Sequence, residues 1–317
     1  MKKFLIYLLV FLEIVGGLTL IAALYTRNQQ NDPDLAQGRE ALVIGDSLTA
    51  AGEWQKVLSK QLGMNVTTRA KGGFTYRQMV DGELGLGGNY NANEGAVKPL
   101  SVEDVKDKDL IILYGGYNNR SSLAGSVGDL YRTDGLGDST FAGFMQYAIN
   151  RIKETLDAAG NTDCEIMIVT MHCAGKYGWI DATAYDEYPA ESGQTMETLV
   201  NLQIAIAKSN GLEYVDLFHD CPIGPETWDL YSKSSSPEVT KYSPYLLDEN
   251  GNAVSDERIT YVPGEWYYQT SSGQVLYKEY DGTTPHPYNG DQLHLNSRGY
   301  LLVGETVADR IREVYGE

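Results

Sequence analysis

A serine, a histidine and an aspartate stand in this chain where they can serve one nucleophilic reaction. Ser47 lies in Gly45-Asp46-Ser47-Leu48-Thr49, directly after the apolar run Ala41-Leu42-Val43-Ile44. A buried strand is expected to end there, and the turn that follows can expose the serine above a rigid sheet with its amide at a helix start. Near the other end, Asp291-Gln292-Leu293-His294 comes just before a helical pattern. A carboxylate three residues ahead of a histidine on a tight turn can accept its Nδ1–H. That fixes the tautomer and leaves Nε2 to take a serine proton. The histidines are His172, His219, His286 and His294, and His294 is the one read as having this partner. His172 and His219 follow strand-like runs, where a histidine more often serves structure or substrate contact.

A serine attacking a carbonyl also needs donors for the oxygen that becomes negative. Lys71-Gly72-Gly73-Phe74-Thr75 follows a second strand-like run, and Gly73 can bring a bare backbone N–H close to such an oxygen. Tyr114-Gly115-Gly116-Tyr117-Asn118-Asn119 closes a third, and Asn118 can place a side-chain amide beside Ser47. Taken singly, a tight strand-to-helix turn and an asparagine capping its own backbone would explain these two segments.

The elements that must position these residues are legible as alternation. Short apolar runs fall at Ala41–Ile44, Met64–Thr68, Leu110–Tyr114, Glu165–Thr170 and Leu212–Leu217. Between them lie helical patterns over Glu53–Leu62, Thr195–Ser209 and Ser297–Val314. The clearest is Phe141, Phe144, Met145, Ala148, Ile149, Ile152, Leu156, behind the cap candidates Ser139 and Thr140. Strands alternating with helices predict a parallel, helix-covered sheet whose ligands bind at the carboxyl ends of its strands. Residues 222–290 break this rhythm and read as a β-rich insertion within one domain spanning 40–317. Turn signals fall there at Asp248–Asn252 and Ser271-Ser272-Gly273. Gly82–Gly88 is glycine-rich, but no strand leads directly into it and no phosphate-loop lysine follows, so a surface loop is expected.

The four blocks, in this order, resemble the SGNH or GDSL-type hydrolase superfamily: a Gly-Asp-Ser serine, a glycine after the second strand, an asparagine after the third, and an Asp-x-x-His pair near the C-terminus. The resemblance covers about residues 40–315. It implies a three-layer α/β/α fold, flavodoxin-like, with a five-stranded parallel sheet, and hydrolysis of an ester without metal or cofactor, often on carbohydrate or lipid. It implies Ser47 as nucleophile, His294 as base, Asp291 as orienting acid, and an oxyanion hole made by the Ser47 and Gly73 amides with the Asn118 side chain. An O-acyltransferase or lipid esterase with the same triad, and a non-catalytic glycan-binding protein on the same fold, are the other readings. One position departs from the pattern: Asn119 stands where the family usually has aspartate, which predicts altered local hydrogen bonding with activity retained.

The chain has 317 residues and a formal charge of −18, so it repels nucleic acid and anionic lipid headgroups. Lys2-Lys3 precede an apolar run over residues 4–24, interrupted by Glu13, and residues 26–39 are a polar linker. The run is long enough to span a bilayer, and the basic flank predicts a cell-membrane anchor with the catalytic domain outside; a cleaved signal segment and a secreted protein are the competing reading. Cys173 and Cys221 follow the fourth and fifth strand runs, where either a disulfide or two separate thiols would fit. Residues 222–290 hold nine of the 23 tyrosines. With Tyr117, His172, Tyr177, Trp179 and Trp266 they are candidates to contact an acylated small molecule or glycan, the alternative being that the insertion's aromatics form its own small core.

Overall fold

The computed structural model describes residues 36–83, 97–119, 122–174, 195–224, 227, 231–233 and 293–316, together with the strands lying between 259 and 287. The chain enters through β1 (Glu40–Gly45), whose interior residues are all buried, and turns at once into the short helix α1 (Ser47–Ala50). Then come α2 (Gln55–Leu62), β2 (Asn65–Ala70), α3 (Tyr76–Asp81), α4 (Val102–Val105) and β3 (Leu110–Tyr114). A 3-10 turn (Tyr117–Asn119) caps β3, followed by α5 (Phe141–Ala159), β4 (Glu165–Val169), α6 (Met196–Ser209), β5 (Glu213–Val215) and α7 (Leu217–Asp220). The last helix is α8 (Ser297–Gly316).

β1 to β5 form one parallel sheet in the order β2-β1-β3-β4-β5. This is the doubly wound order in which the chain reverses direction between β1 and β3, and ligands of such sheets bind at the carboxyl ends beside that point. The central strands β1, β3 and β4 are apolar runs because helices cover both faces. Leu42, Val43, Ile44, Ile111, Ile112, Met167 and Ile168 are at most 2% exposed. The edge strand β2 is largely exposed (Asn65-Val66-Thr67-Thr68-Arg69-Ala70) and accordingly polar. Thr140 is the N-cap of α5 and accepts from the Gly143 amide at 3.0 Å.

Four further strands, β6 (Ile259–Val262), β7 (Tyr267–Thr270), β8 (Val275–Tyr280) and β9 (Pro285–Pro287), pair antiparallel in chain order. The expected β-rich insertion is thus present, and β7 and β8 pair across the Ser271-Ser272-Gly273 signal. The Asp248–Asn252 signal, and residues 84–88 of the glycine-rich segment, lie outside the described residues.

The membrane assignment is corrected. Among the described residues no helix is long and apolar enough to cross a membrane, and residues 4–24 lie outside them. The longest described helix, α8, has 20 residues. It buries Val303, Val307 and Ile311 on one face and carries Arg298, Glu305, Asp309, Arg310 and Glu313 around the rest, the pattern of a helix docked on a core by one face. The placement outside a cell membrane is withdrawn with it.

Candidate active site

Ser47 is delivered by a turn that only glycine permits at its base. A Cβ on Gly45 would come within 2.3 Å of Thr49 Oγ1 and 2.7 Å of the Tyr114 carbonyl oxygen, so α1 could not fold back over the end of β1. Asp46 is the N-cap of α1, and its Oδ1 accepts from the Leu48 amide at 3.0 Å. Its side chain is buried beneath the site and Ser47 above it is half-buried. Burial pushes the Asp46 carboxyl up to about 7, against the opposing effects of the Leu48 amide and His294.

His294 meets this serine from 247 residues away: Nε2 lies 2.8 Å from Ser47 Oγ. Its backbone is held from both sides. The Lys233 amide donates to the His294 carbonyl at 2.9 Å, the Asn296 amide donates to the Tyr231 carbonyl at 2.8 Å, and Ser232 bridges Leu295 between them. Asn296 then starts α8, its Oδ1 accepting from the Arg298 and Gly299 amides at 2.9 and 3.1 Å. α8 in turn seats on the block that follows Ser47, because Gly304 packs directly against the Trp54 carbonyl and Val57. The packing of α8 on this block thus ties the two partners of the pair together. The segment 231–233, which holds the histidine, carries no motif and was not anticipated from the sequence. Asp291 lies outside the described residues.

Gly73 sits on the turn after β2 with φ +82°, open on the side a Cβ would occupy. Its neighbour Gly72 faces Ser47, where an added Cβ would stand 3.8 Å from the Ser47 Cβ. Asn118 is on the 3-10 turn after β3. Its Nδ2 donates to the Phe74 carbonyl at 3.0 Å and lies 3.5 Å from Asp46 Oδ2. So the ends of β1, β2 and β3 bring Ser47, Gly73 and Asn118 to the switch point, and the His294 segment meets them there. Asn119 Oδ1 accepts from the Tyr76 amide at 2.9 Å, a backbone contact that needs an acceptor oxygen and no charge.

Two of the five proposed substrate contacts lie among the described residues. Tyr117 and His172 are both fully buried. The Tyr117 hydroxyl donates to the His172 carbonyl and is in hydrogen-bond contact with Nδ1, and the rings meet edge to face at 5.4 Å. They pack beneath the strand ends and offer no surface to a ligand. Tyr177, Trp179 and Trp266 lie outside the described residues. Cys164, Cys173 and Cys221 are all outside any disulfide, so the separate-thiol alternative holds. Cys173 and Cys221 pack as small buried side chains.

The reading of His294 as the histidine with an upstream carboxylate overlooked a second pair at the same spacing. Asp216-Leu217-Phe218-His219 places Asp216 Oδ2 2.7 Å from His219 Nδ1, with Glu197 Oε1 3.4 Å from Nε2. Asp216 is also the N-cap of α7. Among the described residues no serine answers this histidine; its second nitrogen faces the Glu197 carboxylate, so the spacing here builds a helix cap and an ion pair.

A serine on the β1 turn, hydrogen-bonded to a histidine just before the last helix at the switch point of a five-stranded parallel sheet, defines an α/β serine hydrolase. A sequence profile of the GDSL-like Lipase/Acylhydrolase family matches residues 43–236, and the chain belongs to that family of ester-hydrolysing enzymes. No curated protein matches in a sequence comparison. Among solved structures, the chain is similar to a possible lipase from Chitinophaga pinensis, with 17% identity over 87% of this chain and 98% of that one and a TM-score of 0.49. It is also similar to a GDSL-like lipase from Bacteroides thetaiotaomicron, with 14% identity over 87% and 89% and a TM-score of 0.38. A catalytic mutant of an acetylxylan esterase from Geobacillus stearothermophilus aligns at 12% identity over 87% and 95%, with a TM-score of 0.39. At these values the likenesses say nothing about substrate. The profile match ends before His294, whose place in the site rests on its contact with Ser47.

Proposed function

We propose that the protein is a serine esterase that removes acetyl or other short acyl groups from a carbohydrate. Ser47 Oγ attacks the ester carbonyl while His294 Nε2 takes its proton. The tetrahedral oxygen is met by the Ser47 and Gly73 amides and by Asn118 Nδ2, which turns from its contacts with Phe74 and Asp46. Each such donor is typically worth about 2.7–4 kcal/mol in the transition state. His294 then returns the proton to the leaving alcohol, and water hydrolyses the acyl-enzyme by the same route. Asp291, by its spacing, orients the imidazole and stabilises its charged form. The observation that carries the reading is the 2.8 Å contact between His294 Nε2 and Ser47 Oγ. The carbohydrate part rests on the aromatic content of residues 222–290, since aromatic faces suit the apolar faces of sugar rings.

Ser47→Ala should abolish hydrolysis of p-nitrophenyl acetate and labelling by a fluorophosphonate probe, with the melting temperature held. Full activity in that variant ends the nucleophile assignment. A higher kcat/KM on acetylated oligosaccharides than on short-chain glycerides is expected of the wild type, and the reverse order would replace the carbohydrate by a lipid substrate.

A further inference from the structure

Gln203, on the inward face of α6, is a fully buried polar side chain that belongs to none of the four blocks. Its carboxamide ties three strand ends together. Nε2 donates to the Gly115 carbonyl at 2.9 Å and to the Tyr76 hydroxyl at 2.6 Å, and Oε1 accepts from the Met171 amide at 3.0 Å. Gly115 follows β3, Met171 follows β4, and Tyr76 opens the helix after the Gly73 turn. The Tyr76 hydroxyl, held protonated by burial, completes a triangle by donating to the same Gly115 carbonyl at 3.0 Å. Gly116 sits directly over the amide: a Cβ there would stand 3.1 Å from Gln203 Nε2, and its φ of +126° is one that glycine adopts readily.

These contacts bear on the oxyanion donors through two further hydrogen bonds. Asn118 Nδ2 holds the Phe74 carbonyl and Asn119 Oδ1 holds the Tyr76 amide. The Gly73 turn and the Asn118 turn are thus fastened to each other above and to Gln203 below. A hydrocarbon of the same length would fill the space but leave the Gly115 carbonyl, the Met171 amide and the Tyr76 hydroxyl short of a partner, and buried polar groups do not tolerate that without moving. Two of these three groups belong to the segments that carry Gly73 and Asn118.

We propose that Gln203 is a positioning residue of the esterase, one that sets the spacing between the Gly73 amide and the Asn118 side chain from beneath the sheet's edge. The inference rests on the reading of Gly73 and Asn118 as oxyanion donors, so three variants are needed: Asn118→Ala, Gln203→Met and Gln203→Glu. With p-nitrophenyl acetate, Gln203→Met should lower kcat by at least about tenfold and weaken an arylboronic acid, whose adduct with serine mimics the tetrahedral state, by a similar factor, while KM stays within about twofold. A side chain that only fills the core would move stability without this split.

Gln203→Glu guards against a Gln203→Met protein that does not fold. The neutral acid keeps an acceptor for Met171 and one donor, and its ionisation removes the donor. Its kcat relative to wild type should fall as pH rises from about 6 to about 8. A loss in Asn118→Ala together with a wild-type kcat in Gln203→Met, or with a Gln203→Glu ratio flat across pH, overturns the role of Gln203 alone. Wild-type kcat in Asn118→Ala overturns the oxyanion reading, and this inference with it.

Discussion

Asp46 shows how one side chain beneath the proposed nucleophile carries two demands. One carboxylate oxygen caps α1 and so fixes the turn that presents Ser47; the other faces the Asn118 amide. Both neighbours are donors, which favours the ionised form, yet burial dominates and lifts the carboxyl from 3.8 to about 7. A folded-state value above the unfolded one means that folding takes up a proton. The stability this contributes is complete below the unfolded value and is lost as pH rises through about 7. The melting temperature of the wild type minus that of Asp46→Asn should therefore fall between about pH 5 and about pH 8; a constant difference would mean that Asp46 is ionised throughout. His219 shifts in the same sense: its desolvation is outweighed by its hydrogen bonds to Asp216 and Glu197. Its contribution is likewise lost as pH rises, which is why the difference between proteins, and not the wild-type curve, isolates Asp46. Asn119 offers a separate test. Asn119→Leu removes the acceptor of the buried Tyr76 amide and should cost about 1–3 kcal/mol, read from denaturation midpoints.

At the level of elements, the proposed catalytic pair depends on how closely α8 can approach the start of the domain. Gly304 marks the closest point: an added Cβ would lie 2.5 Å from Val57 Cγ2 and 2.6 Å from the Trp54 carbonyl. Alanine is the better helix former by roughly 0.5–1 kcal/mol, but overpacking typically costs about 1–3 kcal/mol, and the backbone oxygen cannot step aside as a side chain would. Gly304→Ala should lower the melting temperature and also kcat, because displacing α8 carries His294 away from Ser47. Leu301→Ala, at an exposed position on the same helix, should change neither. The helices and buried strands involved were legible in the sequence because apolar periodicity records what each one covers. Leu110–Tyr114 is the observed β3 without adjustment. β2 was read two residues short at its end, since an exposed edge strand has no apolar pattern to mark its limits. The Tyr231–Lys233 brace left no signal, because an isolated bridge has no period. Asp216 and His219 show the converse: the spacing was visible, but only the partner of the second nitrogen decides whether such a pair is a base or a cap.

For the whole molecule, 43 acidic against 25 basic residues set a field that any substrate must cross. Such a charge does not choose the fold, but it changes encounter rates with charged ligands, and salt screens it. The Debye length falls from about 30 Å at about 0.01 M salt to about 8 Å at about 0.15 M. Over this range the repulsion felt at Ser47 shrinks from one summed over much of the surface to one set by nearby groups. An anionic ester, such as the mono-p-nitrophenyl ester of succinic acid, should gain kcat/KM as salt rises, while p-nitrophenyl acetate should change little. The gain should appear in kcat/KM and not in kcat, because screening acts on approach and not on the bound complex. Neutral acylated sugars meet no such barrier, which agrees with the substrate class proposed above. Equal salt responses for the two esters would mean that the surface charge is not felt at the site, and would remove this argument against anionic substrates.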